Sequence, residues 1–124
     1  MDKKKILIAD DEPNILITLR FLLEQEGYEV VEANNGRQAL AVARRELPNI
    51  AVLDVMMPEM DGFKVATAIR EEEAMADLRI VFLTARGQPQ DLSTGYRSGG
   101  EVYLTKPFDN LDFLTTLSEL ITFG

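Results

Sequence analysis

Cysteine and histidine are both missing from this chain of 124 residues. Without cysteine there is no disulfide framework and no thiol chemistry. Without histidine the commonest general base, transition-metal ligand and phosphohistidine carrier is gone, so any phosphoryl group handled here has to come from outside. No apolar stretch approaches the ~20 residues of a membrane span. The basic N-terminus has no signal-peptide apolar core separate from the strand that follows it, so a cytoplasmic location is the expectation. Cations are scarce as well, 13 Lys and Arg against 21 Asp and Glu, for a formal net charge of −8. Nucleic acid and anionic membrane are bound by clustered cations that release counterions, so neither is an expected partner. The one basic run, Lys3-Lys4-Lys5, reads as a solvated lead-in to the first strand, three charges being a weak footprint.

What the chain does have is enough apolar sequence, 46%, for one ordinary domain over residues 1–124. Short apolar runs alternate with stretches of helical period, the pattern of repeated βα units. Strands are expected at Lys5 to Ala9, Tyr28 to Ala33, Ile50 to Leu53, Ile80 to Leu83 and Glu101 to Leu104. A first helix opens at Pro13, carries Ile15, Leu19, Leu22 and Leu23 and is capped by Gly27. Asn34-Asn35-Gly36 turns into a second helix bearing Ala39, Leu40 and Ala43, stopped at Pro48. A third carries Val65, Ala66 and Ile69. A fourth, between Gly87 and Gly100, is glycine-interrupted and the least stable. A fifth, Asp109 to Thr122, bears Leu111, Leu114, Leu117, Leu120 and Ile121 on its apolar stripe. Strict alternation with right-handed crossovers predicts a doubly wound parallel sheet of five strands with five helices on its two faces. The expected strand order is 2-1-3-4-5, with a switch point between strands 1 and 3.

Four of the five apolar runs stop beside a residue suited to phosphoryl chemistry. Strand 1 runs into Asp10 and Asp11, strand 3 into Asp54, strand 4 into Thr84, and the last strand ends just before Lys106. Parallel strands share one carboxyl edge, and open α/β sheets bind their ligands along it. Asp10, Asp11 and Asp54 are hard oxygen ligands of the kind Mg²⁺ takes while keeping waters and substrate phosphate. Asp10 and Asp11 as mere caps of the first helix would leave a third acid at the switch point unexplained. A carboxylate at the end of a buried strand can attack phosphorus and become an acyl phosphate, which singles out Asp54. Lys106 supplies a point charge for a phosphoryl oxygen, and Thr84 a hydroxyl. Met56, Met57 and Met60 read as packing and loop-cover side chains, and a cis Lys106–Pro107 bond is compatible with the sequence, at ~5–6% of such bonds.

In these residues the chain resembles the receiver domain of two-component response regulators, a flavodoxin-like fold. The resemblance spans essentially the whole chain and rests on Asp10-Asp11, on Asp54 within Asp54-Val55-Met56-Met57-Pro58-Glu59-Met60-Asp61-Gly62, on Thr84-Ala85 and on Tyr103-Leu104-Thr105-Lys106-Pro107-Phe108. It implies a phosphoprotein of a phosphorelay in which Asp54 takes a phosphoryl group from a phosphohistidine on a sensor histidine kinase or histidine phosphotransfer protein. It implies Mg²⁺ held by Asp11, Asp54 and the Met56 backbone carbonyl, with Asp10 acting mostly through water. Thr84 and Lys106 would hold phosphoryl oxygens, and Thr84 and Tyr103 would form the switch, Tyr103 through its rotamer. Met56 and Arg86 would line the water's approach to the acyl phosphate. The implied partners are a downstream effector or output domain and, on phosphorylation, a second copy of the chain. Such a module catalyses its own phosphotransfer and dephosphorylation and is not an enzyme with turnover on a separate substrate. Two departures stand out: Gly99-Gly100-Glu101 where receivers often read Gly-Ala-Asp, and Gly95 within the fourth helix. The last helix ends close to Phe123-Gly124, which fits a stand-alone receiver and the first domain of a longer regulator alike.

Three other functions compete. A flavin-binding electron carrier on the same fold needs a Ser/Thr/Gly-rich loop after strand 1, where this chain has Asp10-Asp11-Glu12-Pro13. A metal-dependent phosphatase would turn over small phosphoesters instead of labelling itself once. A receiver-like scaffold that never meets phosphate would not need the full set of site groups.

Overall fold

The computed structural model describes residues 3–85, 102–106 and 108–123. Five parallel strands form one sheet in the order β2-β1-β3-β4-β5. They are β1 Lys5–Ala9, β2 Glu29–Ala33, β3 Ile50–Asp54, β4 Arg79–Ala85 and β5 Val102–Lys106. Four α-helices are present among the described residues: α1 Pro13–Gln25, α2 Gly36–Glu46, α3 Gly62–Arg70 and α4 Asn110–Phe123, with a 3₁₀ turn at Glu73–Met75. The remaining expected helix, with Arg86, Gly95 and Gly99-Gly100-Glu101, lies outside the described residues, as does Pro107.

The central strands read as unbroken apolar runs because both of their faces are covered. Alternate residues serve opposite layers. Leu7, Ala9, Ala51, Leu53, Ile80 and Phe82 pack with Ala39, Leu40 and Ala43 of α2 and Val65, Ala66 and Ile69 of α3. Ile6, Ile8, Ile50, Val52, Val81 and Leu83 pack with Leu16, Leu19 and Leu23 of α1 and Phe113 and Leu117 of α4. Strand β1 therefore pairs with β2 on one side and β3 on the other, Ala9 meeting Ala33 and Leu53, and their carboxyl ends open into a shared crevice.

Local chemistry sets the helix bounds. Gly27 at φ +88° lets α1 end with Tyr28 N–H donating to the Leu23 carbonyl at 3.1 Å and Gly27 N–H to that of Glu24 at 3.1 Å, a Schellman ending. Tyr28 is thereby spent on the helix, and β2 begins one residue later than the sequence suggests. Asn35 caps α2 by accepting from Gln38 N–H at 2.8 Å, and Asp61 caps α3 by accepting from Lys64 N–H at 2.9 Å.

Three packing assignments change. Leu111 is 71% exposed, whereas Phe113 and Leu117 are fully buried. Phe113 stands about 200° round the helix from Leu111 at 3.6 residues per turn, so only one of the two can face the sheet, and the larger ring does. Met56 is likewise 71% exposed, while Met57 is buried and Met60 packs on the core. Lys5 opens β1 where the strand was expected, but its side chain is paired rather than simply solvated, with its ammonium 2.9 Å from Glu46 and 3.7 Å from Glu29.

Candidate functional site

Asp10 follows the last residue of β1 and is fully buried, held where its N–H donates to the Ala33 carbonyl of β2 at 3.2 Å. Asp54 is the last residue of β3 and is 4% exposed. The crevice between β1 and β3 thus has two buried carboxylates in its floor. Asp11 and Glu12 sit on the exposed rim, where the chain turns into α1.

Lys106 ends β5, on the far side of β4 from Asp54. Neighbouring strands lie about 4.8 Å apart, so only a long side chain can cross β4 to the crevice. The Lys106 ammonium donates to Asp10 Oδ2 at 2.8 Å and to Glu12 Oε1 at 3.2 Å, and lies 3.6 Å from Asp54 Oδ2. Two backbone donors complete the frame, Glu12 N–H to Asp10 Oδ1 at 2.9 Å and Met56 N–H to Asp54 Oδ1 at 3.3 Å. Asp10 therefore orients the start of α1 and anchors Lys106, which is more than capping.

Asp10, Asp11, Glu12 and Asp54 each place one carboxylate oxygen within 4.8 Å of the others. Adjacent ligands of a Mg²⁺ octahedron with bonds of about 2.0–2.1 Å lie about 3 Å apart, and opposite ones about 4 Å. The cluster is of the right size for one cation, and the donors are all hard oxygen. A chain without cysteine or histidine has neither thiolate nor imidazole to divert the choice toward zinc. Among the sequence-expected ligands Asp10, Asp11 and Asp54 are brought together. The Met56 backbone adjoins Asp54 through its N–H, and its side chain is exposed.

The electrostatics match that crowding. Burial, and then the charge of Asp10, push the Asp54 carboxyl up to about 7 from an ordinary 3.8, against the opposing pull of Lys106 and the Met56 N–H. Burial alone would lower the Lys106 pKa, yet its hydrogen bond to Asp10 and the charges of Asp54 and Asp10 raise it. A carboxylate this costly to ionise is one whose charge a cation or a neighbouring ammonium must support.

Thr84 lies in β4 one residue beyond Leu83, the register partner of Asp54, and pairs with Thr105; its side chain lies outside the described residues. Tyr103 of β5 is half-buried, its ring centroid 5.4 Å from Phe82 and 6.2 Å from Phe63. Glu12 is the group that the sequence reading missed. Its signal was present, an acid continuing Asp10-Asp11 at the mouth of α1, but its hold on Lys106 depends on a contact across 94 residues.

Comparison with known proteins agrees with this arrangement. The family model for the response regulator receiver domain matches residues 6–118. The DNA-binding dual master transcriptional regulator RpaA of Synechocystis is 41% identical over 117 residues, covering 94% of this chain and 48% of that protein. An uncharacterized 14.6 kDa protein of Leptolyngbya boryana is 42% identical over 114 residues, covering 92% of this chain and 87% of that one. Among solved structures, the chemotaxis response regulator CheY4 of Vibrio cholerae superposes with a TM-score of 0.90 at 33% identity, over 96% of this chain and 99% of that one. Against most of the curated relatives that it matches first, the chain spans just under half their length, 42–49%. By fold, by acidic crevice and by sequence, the chain belongs to the response regulator receiver domains.

Proposed function

We propose that residues 1–124 form one cytoplasmic receiver domain whose Asp54 accepts a phosphoryl group from a phosphohistidine on a sensor histidine kinase or histidine phosphotransfer protein. The observation that carries this reading is the placing of Lys106, 2.8 Å from Asp10 and 3.6 Å from Asp54. It brings a fixed cation to the carboxylate that ends the most buried strand of the sheet. An Asp54 oxygen attacks phosphorus, the P–N bond to the donor imidazole breaks, and the imidazole leaves with its electron pair, taking a proton as it departs. Lys106 then exchanges part of its contact with the carboxylates for a phosphoryl oxygen, and Thr84 offers its hydroxyl to another.

Asp11, Asp54 and the Met56 backbone carbonyl would hold Mg²⁺, with Asp10 acting through water. When bound, the ion supplies charge neutralisation at the phosphoryl oxygens. The chain's own part is to bury Asp10 and Asp54, to aim Lys106 and to keep the crevice narrow. The phosphorylated state carries about −1.5 to −2 charge on the new group, enough to draw Lys106 and Thr84 toward it. Movement of β4 and β5 at these residues would repack Tyr103 and present a changed surface to an effector, an output domain or a second copy of the chain. Incubation with a small acyl-phosphate donor and Mg²⁺ should add one phosphoryl group by intact mass, and Asp54→Asn should abolish it. Undiminished labelling of the variant would overturn the assignment.

A further inference from the structure

The loop that leaves Asp54 does not stand alone: its tip lies against the first residue of α2. Gly36 N–H donates to the Pro58 carbonyl at 3.2 Å, satisfying one of the amide groups that every helix start leaves without an internal partner. The backbone of Met60 also rests on the Gly36 Cα. A Cβ at position 36 would collide with the Met60 carbonyl oxygen and stand 2.5 Å from its carbon and 2.8 Å from its Cβ. These are backbone atoms for the most part, so they cannot swing aside as a side-chain tip would. The tip is itself tightly folded, with Met60 N–H donating to the Pro58 carbonyl at 2.8 Å and Glu59 at φ +72°. Gly62 N–H donates to the Val55 carbonyl at 3.0 Å and closes the loop's base. Between base and tip lies Met56, whose N–H caps Asp54 Oδ1 at 3.3 Å.

From this we infer that Gly36 is a positioning residue for the phosphoacceptor crevice: its bare Cα lets loop 55–61 dock on the start of α2, which fixes the Met56 backbone beside Asp54. The inference rests on the functional reading above, in which the Met56 carbonyl is a cation ligand. Any side chain at 36 drives the Met60 carbonyl back by nearly two ångströms to reach ordinary contact. Displacements of that size near a reacting centre can cost on the order of a hundredfold. The ion pair between Arg37 and Glu59, 3.9 Å apart and exposed, adds little, so the docking depends on the glycine.

The test is Mg²⁺ affinity of Gly36→Ala, set beside Gly27→Ala. Gly27 has positive φ with nothing within 4 Å, so its substitution strains the fold without touching the loop. Gly36→Ala should weaken Mg²⁺ binding by roughly ten- to a hundredfold, the range seen when a group that orients metal ligands is lost. Its Asp54 labelling should recover at saturating Mg²⁺. Gly27→Ala should lose stability and keep its Mg²⁺ affinity. Unchanged affinity in Gly36→Ala, or an equal loss in Gly27→Ala, would overturn the inference. Amide exchange in the wild type gives an answer even where Gly36→Ala does not fold. Because coupling between loop and cation is reciprocal, Mg²⁺ should slow exchange of the Gly36 N–H, and an unchanged rate would count as refutation. A wild type that neither bound Mg²⁺ nor took up phosphoryl would bring down the functional reading and this inference with it. A wild type that did both, matched by Gly36→Ala, would bring down the inference alone.

Discussion

Replacing Asp54 with asparagine should make the metal-free protein more stable, and the gain should grow with pH. The folded state raises the Asp54 carboxyl to about 7 from 3.8. Below pH ~4 the acid is protonated folded or unfolded, so wild type and Asp54→Asn should melt alike. Between pH 4 and 7 the folded state keeps a proton that the unfolded chain has released, and stability is lost as pH rises through the folded pKa. Above pH 7 the penalty is complete. At ~1.4 kcal/mol per pH unit its ceiling is roughly 4 kcal/mol. The variant also gives up the ionic contact with Lys106 at 3.6 Å, which returns part of this. A gain of roughly 0.5–2 kcal/mol at pH 8 is therefore expected, as is common when a functional liability is removed. Urea melts followed by circular dichroism at pH 4, 6 and 8 would measure it. Mg²⁺ should stabilise the wild type by mass action, reaching ~2.7 kcal/mol at a hundredfold excess over its dissociation constant. The two gains should not add, because the variant has lost a ligand. A difference between the proteins that ignored pH, or a variant less stable at pH 8, would refute the idea that burial and Asp10 make this charge expensive.

Lys106→Ala should still accept phosphate, slowly, yet leave the Tyr103 surface unchanged on phosphorylation; partner binding by the phosphorylated variant equal to wild type would remove Lys106 from the switch. Met56→Asn should shorten the phosphorylated lifetime, because an exposed thioether cannot orient a water as an amide can; decay assays returning an equal or longer lifetime would contradict this. Phe113→Ala should cost about 3–5 kcal/mol, as truncation of a buried aromatic does, whereas Leu111→Ala on the exposed side of the same helix should fall within about ±0.5 kcal/mol. Comparable losses in chemical melts would mean that α4 packs through the other face.

Most of the sheet was legible because central parallel strands are buried on both faces and so appear as unbroken apolar runs, Ile6 to Ala9 and Ile50 to Leu53 above all. The acids at their ends were legible for the same reason: a charge closing an apolar strand has nowhere to lie but the carboxyl edge. What was not legible depends on register or on distant contacts. Leu111 and Phe113 are both apolar, and only the angle at which α4 meets the sheet decides which is buried. The hold of Glu12 on Lys106 and the docking of Met60 on Gly36 join segments far apart in the chain, and neither local pattern encodes them. Met56 reads as apolar cover, but the loop turns its side chain outward so that its backbone can face Asp54.

The most direct test of Asp54 as phosphoacceptor is to find which atom takes the phosphoryl group. Acyl phosphates are cut by borohydride, which converts a phosphorylated aspartate to homoserine and leaves free carboxylates untouched. After treatment with a small acyl-phosphate donor and Mg²⁺, reductive trapping and peptide mass mapping should place homoserine at position 54 and leave Asp10, Asp11 and Glu12 unreduced. Homoserine at Asp10 or Asp11, 5-hydroxynorvaline (the reduction product of a glutamyl phosphate) at position 12, or no reduced residue anywhere in a fully folded sample, would contradict the central claim.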